Sequence, residues 1–252
     1  MAVATAPSKA PAPVIRTSIG KKILVAVSGL LFVGFVFSHM LGNLKFFLGE
    51  GEFNGYAEGL RDLLTPLLPR SFFLWGLRSV LFVGLVVHVL LTIQLARQSR
   101  AGRESRYAVT KATDSTAASR TMRWGGLAIF AFLFFHLAHF TWGWIHPQYT
   151  FVRGAVYENF YASFRGGWGV VFVTLYALSM IAVALHVYHG TWSSMQTLGV
   201  MNRRFDKTIR RAATGLAIVI FVGFLSAPVA VLLGAQPYCD QTCAKHIEEL
   251  KK

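Results

Sequence analysis

Charge is what this chain has least of, and acid is its scarcest form. Charged residues make up 14% of the 252, against roughly 25% in a soluble domain. Only 11 are Asp or Glu, and none falls in the five long apolar runs at residues 23–41, 72–96, 124–145, 168–192 and 212–233. Those runs therefore hold no carboxylate with which to relay protons across an apolar layer. Cysteine is nearly missing too: Cys239 and Cys243 are the only two. Iron–sulfur clusters are commonly held by four thiolates, so this chain cannot build one alone. Long polar stretches are also lacking. No segment is large enough for a separate soluble catalytic domain, and any water-soluble chemistry falls to a partner.

What is present is hydrophobic length. Each apolar run is close to the roughly 20 residues that a helix needs to cross a bilayer. The expected fold is an all-α integral membrane protein with five transmembrane helices. The arm at residues 1–18 is rich in Ala and Pro, a composition that predicts disorder. The run that follows is too long for a signal-peptide core and has no small-residue cleavage site behind it. It is taken as the first membrane helix, giving a membrane domain over 19–235 and a short tail over 236–252.

The basic residues predict orientation. Lys9, Arg16, Lys21 and Lys22 lie in the arm and at its edge. Arg97, Arg100, Arg103, Arg106, Lys111, Arg120 and Arg123 lie around the second connection, and Arg203, Arg204, Lys207, Arg210 and Arg211 around the fourth. With only Glu104, Asp114 and Asp206 among them, these segments hold nearly all of the net charge of +14. An excess of Lys and Arg marks the cytoplasmic side, so the N-terminus is expected inside and the C-terminus outside. Charge confined to such loops reflects topology and anionic lipid rather than nucleic acid, and it suits docking of an acidic soluble partner.

Against this apolar background four histidines stand out, one in each of the first four runs: His39, His88, His136 and His186. An ionisable side chain in the bilayer is costly and marks a site. At about 1.5 Å per residue, His39 lies roughly 24 Å and His136 roughly 18 Å from the inner edge. The second and fourth helices run inward, and His88 and His186 come late in each. The four thus sort by depth into an outer pair, His39 with His136, and an inner pair, His88 with His186. Two b-type haems, each held by two imidazoles, would need such an arrangement, with the first four helices forming the haem-binding bundle. One intramembrane histidine reads equally well as a packing residue; four matched by depth favour ligation. His139 and His189 follow His136 and His186 by three residues, and spacing alone cannot choose within each couple.

These residues sit in segments that resemble the dihaem cytochrome b subunit of succinate:quinone oxidoreductases, the single-chain, five-helix anchor type. The segments are Ser28-Gly29-Leu30, Ser38-His39-Met40-Leu41-Gly42-Asn43-Leu44 and Phe53-Asn54-Gly55-Tyr56-Ala57. With them go Phe135-His136-Leu137-Ala138-His139-Phe140-Thr141 and, most specific, Leu185-His186-Val187-Tyr188-His189-Gly190-Thr191-Trp192-Ser193, running on to Gln196-Thr197-Leu198-Gly199. The resemblance spans about residues 20 to 233. It implies axial ligation by His39 and His136 for a haem distal from the soluble subunits, and by His88 and His186 for a proximal one. It further implies a flavoprotein with covalent FAD and an iron–sulfur protein on the cytoplasmic face, and a place in the bacterial inner membrane. The implied reaction is that of succinate dehydrogenase or fumarate reductase, succinate plus quinone to fumarate plus quinol or the reverse, with no succinate site in this chain. Some family members carry a glutamate two residues before the fourth-helix ligand. Here that position is Ala184, so proton transfer by that glutamate does not carry over.

Other sites are less sharply drawn. Phe53, Tyr56, Leu60, Leu63 and Leu64 recur at near-helical spacing, which predicts a short amphipathic helix in the outer interface, stopped by Pro66 and Pro69. It would lie over the outer haem, where Glu58 or Asp62 could exchange quinone protons beside Asn43; the plainer interpretation is a solvated helix face. Arg78 is a candidate partner for outer haem propionates, and Lys22 and Arg123 for inner ones, with interfacial snorkelling as the alternative. Cys239 and Cys243 would lie outside, where a disulfide is permitted, and with His246 they do not form a c-type haem attachment motif. A dihaem anchor of another respiratory dehydrogenase and a haem-free proton-coupled transporter are the competing functions.

Overall fold

The computed structural model describes residues 17–102 and 117–235, with the side chains of 117–120 left aside. Among these residues every regular element is helical: α1 (Ser18–Leu44), α2 (Glu50–Asp62), α3 (Phe72–Ala101), α4 (Ala117–Leu137), α5 (Val156–Phe164), α6 (Gly166–Thr197) and α7 (Asp206–Leu232). Helices α1, α3, α4, α6 and α7 are long and apolar enough to cross a membrane. The arm at 1–16 and the tail at 236–252, with Cys239, Cys243 and His246, lie outside the described residues, as do Arg103, Arg106 and Lys111.

Local chemistry sets the helix ends. Thr17 caps α1, its Oγ1 accepting from the Gly20 N–H at 3.0 Å, so the helix opens inside the segment expected to be arm. A 3-10 turn over Lys45–Leu48 and Gly49 at φ 96° end it. Asn202 folds its side chain onto the Arg204 and Phe205 N–H groups, an Asx turn that leads into α7. There Asp206 takes the Arg210 guanidinium at 3.0 Å, and that guanidinium lies 3.9 Å over the Trp192 ring, closing the α6–α7 corner. Pro228 lies within α7 without ending it, as membrane helices tolerate.

Helix α6 is the hub. It packs on α7 most extensively, then on α4 and α1, while α3 leans on α1 and α2. Lipid offers no hydrophobic drive to bring helices together, so close contact depends on small residues. Gly223 of α7 receives Met40 of α1, Gly169 of α6 lies on the Phe164 carbonyl, and Gly84 of α3 backs onto Leu31. Met40, Met180, Val183, Val187 and Ile220 fill the middle of the α1–α6–α7 interface. Outward-facing side chains such as Phe82, Leu127, Leu178 and Val222 are more than half exposed, as a lipid-facing surface requires. The fifth span is not peripheral, for Phe224 brings its ring within 5.9 Å of the His39 ring.

One end of the bundle carries a cap. Helix α2 lies where the spacing of Phe53, Tyr56, Leu60, Leu63 and Leu64 predicts one but ends earlier, at Asp62, with Leu63 extended and Leu64 at φ 77°; it meets α5, which periodicity did not announce. Phe46, Phe53, Tyr157, Phe160, Tyr161 and Phe164 join Phe172, Tyr176 and Val231 in one aromatic core. Asn54 ties the two cap helices together: its Oδ1 accepts from the Tyr157 N–H at 2.9 Å, and its Nδ2 donates to Glu158 Oε2 at 3.2 Å. This core joins the C-terminal ends of α1 and α7 to the start of α6, so α1 and α7 run toward this end and α6 runs away from it. The two ends of the bundle are called here the cap side and, where α1 begins, the N side.

Candidate functional site

The four histidines come together two by two. On the cap side the His39 and His136 ring centres are 5.9 Å apart with planes at 83°. On the N side those of His88 and His186 are 6.4 Å apart at 59°. Depth along the sequence paired them in the same way. The structure also separates members of the couples that spacing left open. His139 turns away into the aromatic core, fully buried, stacked on Phe172 at 4.6 Å and 5.2 Å from His146. His189 packs edge-on against Trp192.

Each pair has one member held by a hydroxyl. Ser28 Oγ lies 3.1 Å from His88 Nδ1 and donates to the Leu24 carbonyl at 2.7 Å. On the cap side the Tyr176 phenol oxygen touches two imidazoles, His136 Nδ1 at 3.2 Å and His139 Nδ1 at 3.1 Å. Between the two imidazoles the α-helix passes into a π-turn over Ala138–Trp142 that carries His139, the kind of local widening common at functional sites. Tyr176, the lone tyrosine in the first two-thirds of α6, and Ser28 were not among the sequence candidates. The available signal was a phenol in an apolar run, which when buried usually has a polar partner.

Space around the N-side pair is kept by glycine. A Cβ on Gly29 would sit 3.4 Å from His88 Cε1, and one on Gly126 would sit 3.6 Å from His186 Cε1. A groove of about 310 Å³ opens beside His186 between α4 and α6, lined by small and apolar residues including Gly125, Ala128 and Ala182. His186 Nδ1 is buried there without a hydrogen-bond partner. Among the described residues no three His, Cys, Asp or Glu side chains gather to hold a metal ion. The histidines offer ligands in twos.

The remaining candidates are dispersed. Asn43 Nδ2 donates to the His39 carbonyl within α1 at 2.8 Å. Glu58 pairs with Arg61 and Arg70, and Arg70 Nε reaches Asp62 at 2.9 Å. Both carboxylates are therefore engaged by guanidinium groups on the cap surface. Arg78 is exposed, with its guanidinium 5.0 Å over the Trp75 ring; Lys22 and Arg123 are exposed on the N side. Beneath the cap, Tyr149 bonds Ser163 at 2.7 Å, and burial raises its phenol well above the usual value. Burial, then Tyr161, Glu50 and Glu158, push Tyr157 up to about 12. Both stay neutral phenols at any physiological pH.

No protein-family model matches this chain, and neither a curated protein nor a solved structure does.

Proposed function

We propose that this chain is a dihaem cytochrome b, the membrane-anchor subunit of a succinate:quinone oxidoreductase of the bacterial inner membrane. It would carry electrons between a flavoprotein–iron–sulfur pair on the N side, taken as cytoplasmic, and quinone in the bilayer. The observation that carries this is the two histidine pairs, at two depths, 5.9 and 6.4 Å between ring centres. Ring centres this far apart leave room for a metal about 2.0 Å from one nitrogen of each imidazole, so each pair could hold one. Two side chains suffice for haem because the macrocycle supplies the other four nitrogens. A bare ion would need a larger cluster. Gly29 and Gly126, which keep side chains off the N-side rings, fit the same group.

A b haem bound there would supply one-electron redox chemistry, alternating between ferric and ferrous iron. The chain's own part is structural and electrostatic. His39 and His136 hold the cap-side position, and His88 and His186 the N-side one. His88, His136 and His186 are half-buried among apolar helices, and His39 is exposed on the bundle. Lys and Arg residues at the N side, among them Arg97, Arg100, Arg203, Arg204 and Arg211, present a surface for an acidic soluble partner. Lack of carboxylate in the spans argues against the proton-coupled transporter. The N-side placement of the basic surface argues against anchors whose soluble subunits work outside.

The test is a dithionite-reduced minus oxidised spectrum of the purified full-length protein, with haem counted per chain. About two b haems are expected, falling to one in His39→Ala and to one in His88→Ala, with different haems lost. Folded protein without haem would overturn the proposal.

A further inference from the structure

On the haem reading above, the hydrogen bonds around the two pairs fix more than which imidazoles bind. A hydroxyl has one proton to give. Ser28 donates to the Leu24 carbonyl at 2.7 Å, with the Val25 carbonyl at 3.2 Å, so at its 3.1 Å contact with His88 Nδ1 it accepts when that imidazole binds iron through Nε2 and carries its proton on Nδ1. Tyr176 touches His136 Nδ1 and His139 Nδ1 with one phenol oxygen. It can donate to only one of them, and the other must donate to it. If His136 binds iron through Nε2, its proton sits on Nδ1. The sequence of bonds is then His136 Nδ1–H to Tyr176 Oη, and Tyr176 O–H to His139 Nδ1. That leaves the proton of His139 on Nε2, the atom that is buried without a partner.

We infer that Ser28 and Tyr176 are positioning residues, one for each haem, which fix His88 and His136 in the Nδ1–H tautomer and turn the Nε2 lone pair toward the iron. A ligand imidazole that donates its other N–H is oriented and made more basic. A more basic ligand stabilises ferric iron, so each bond lowers the potential of its own haem. The two devices differ in kind. Ser28 is anchored on its own helix, whereas Tyr176 of α6 ties the ligand on α4 to His139 in the π-turn.

The test is a redox titration of the full-length holoprotein, followed optically and by low-spin electron paramagnetic resonance. Tyr176→Phe keeps the ring in the aromatic core and removes only the oxygen. It is expected to retain two haems, raise the cap-side potential and shift that haem's largest g value, leaving the N-side haem unchanged. Ser28→Ala is expected to do the converse, and Ser28→Thr, which restores a hydroxyl, to return the N-side potential to the wild-type value. Two haems with unaltered potentials in both Tyr176→Phe and Ser28→Ala would overturn the inference and leave the haem proposal standing. So would a shift of both potentials together in either variant. Absence of haem from the wild-type protein would instead remove the proposal on which the inference depends.

Discussion

At the residue scale, the histidine sites are specified by what is small beside them as much as by the imidazoles. Gly29 and Gly126 approach the same N-side pair from different helices, at 3.4 Å and 3.6 Å for an added Cβ. Alanine at either place makes ordinary van der Waals contact with the ring. A branched side chain drives the ring from its place, since an overpacked site moves side chains off their rotamers. Gly29→Leu and Gly126→Leu are each expected to lose about one of two haems per chain, and the same one. Loss of different haems would show that these glycines do not share a site. Beneath the cap, burial holds His146 below its ordinary 6.5. The unfolded chain takes up that proton first, so stability is complete above pH 6.5 and declines as pH falls through it. The melting temperature in detergent should therefore drop between pH 7 and pH 5. His146→Phe, which keeps the stack on Phe151 at 4.9 Å, should drop less. Equal slopes in the two proteins would show that His146 is not a source of the effect.

At the scale of elements, the cap depends on one amide. Asn54 of α2 satisfies the Glu158 carboxylate of α5, which is only 3% exposed. Removing the partner of a buried charged group costs about 3 kcal/mol. Asn54→Ala should lower the melting midpoint by several degrees and open the cap to protease, and Asn54→Asp, which opposes two carboxylates, should do more. A midpoint unchanged in Asn54→Ala would mean that Glu158 is satisfied by other groups. The contrast between α2 and α5 also shows what a sequence discloses. Helix α2 has a wet face and a dry one, so Phe53, Tyr56 and Leu60 betray its period. In α5 every residue from Tyr157 to Phe164 is buried, including Glu158, Asn159 and Ser163. Polar groups there face protein instead of water, and alternation carries no signal. The same limit hid Tyr176 and Ser28. Depth along a helix follows from residue count, and it paired the histidines; which hydroxyl meets which ring depends on helix rotation, which hydropathy does not encode.

At the scale of the whole molecule, an orderly gradient of chemistry runs along the bundle axis. The cap side closes with Arg61 and Arg70 matched to Glu58 and Asp62, so its surface charge is largely cancelled there. The N side gathers Lys21, Lys22, Arg97, Arg100, Arg123, Arg203, Arg204, Lys207 and Arg211, with Asp206 compensating Arg210 at the α6–α7 corner. Translocating this side would carry many positive charges through the bilayer, whereas translocating the cap side carries almost none net, which is the physical content of the positive-inside rule. The N side should face the cytoplasm. In a Cys239→Ser/Cys243→Ser background, Thr65→Cys on the cap side and Val200→Cys at the α6–α7 corner report the two faces, and both positions are exposed. A membrane-impermeant maleimide added to intact cells should label Thr65→Cys at once and Val200→Cys only after permeabilisation. The reverse pattern would place the basic surface outside. Any soluble partner docked on it would then also be outside, and the proposed cytoplasmic flavoprotein–iron–sulfur pair would have no face of this protein to meet.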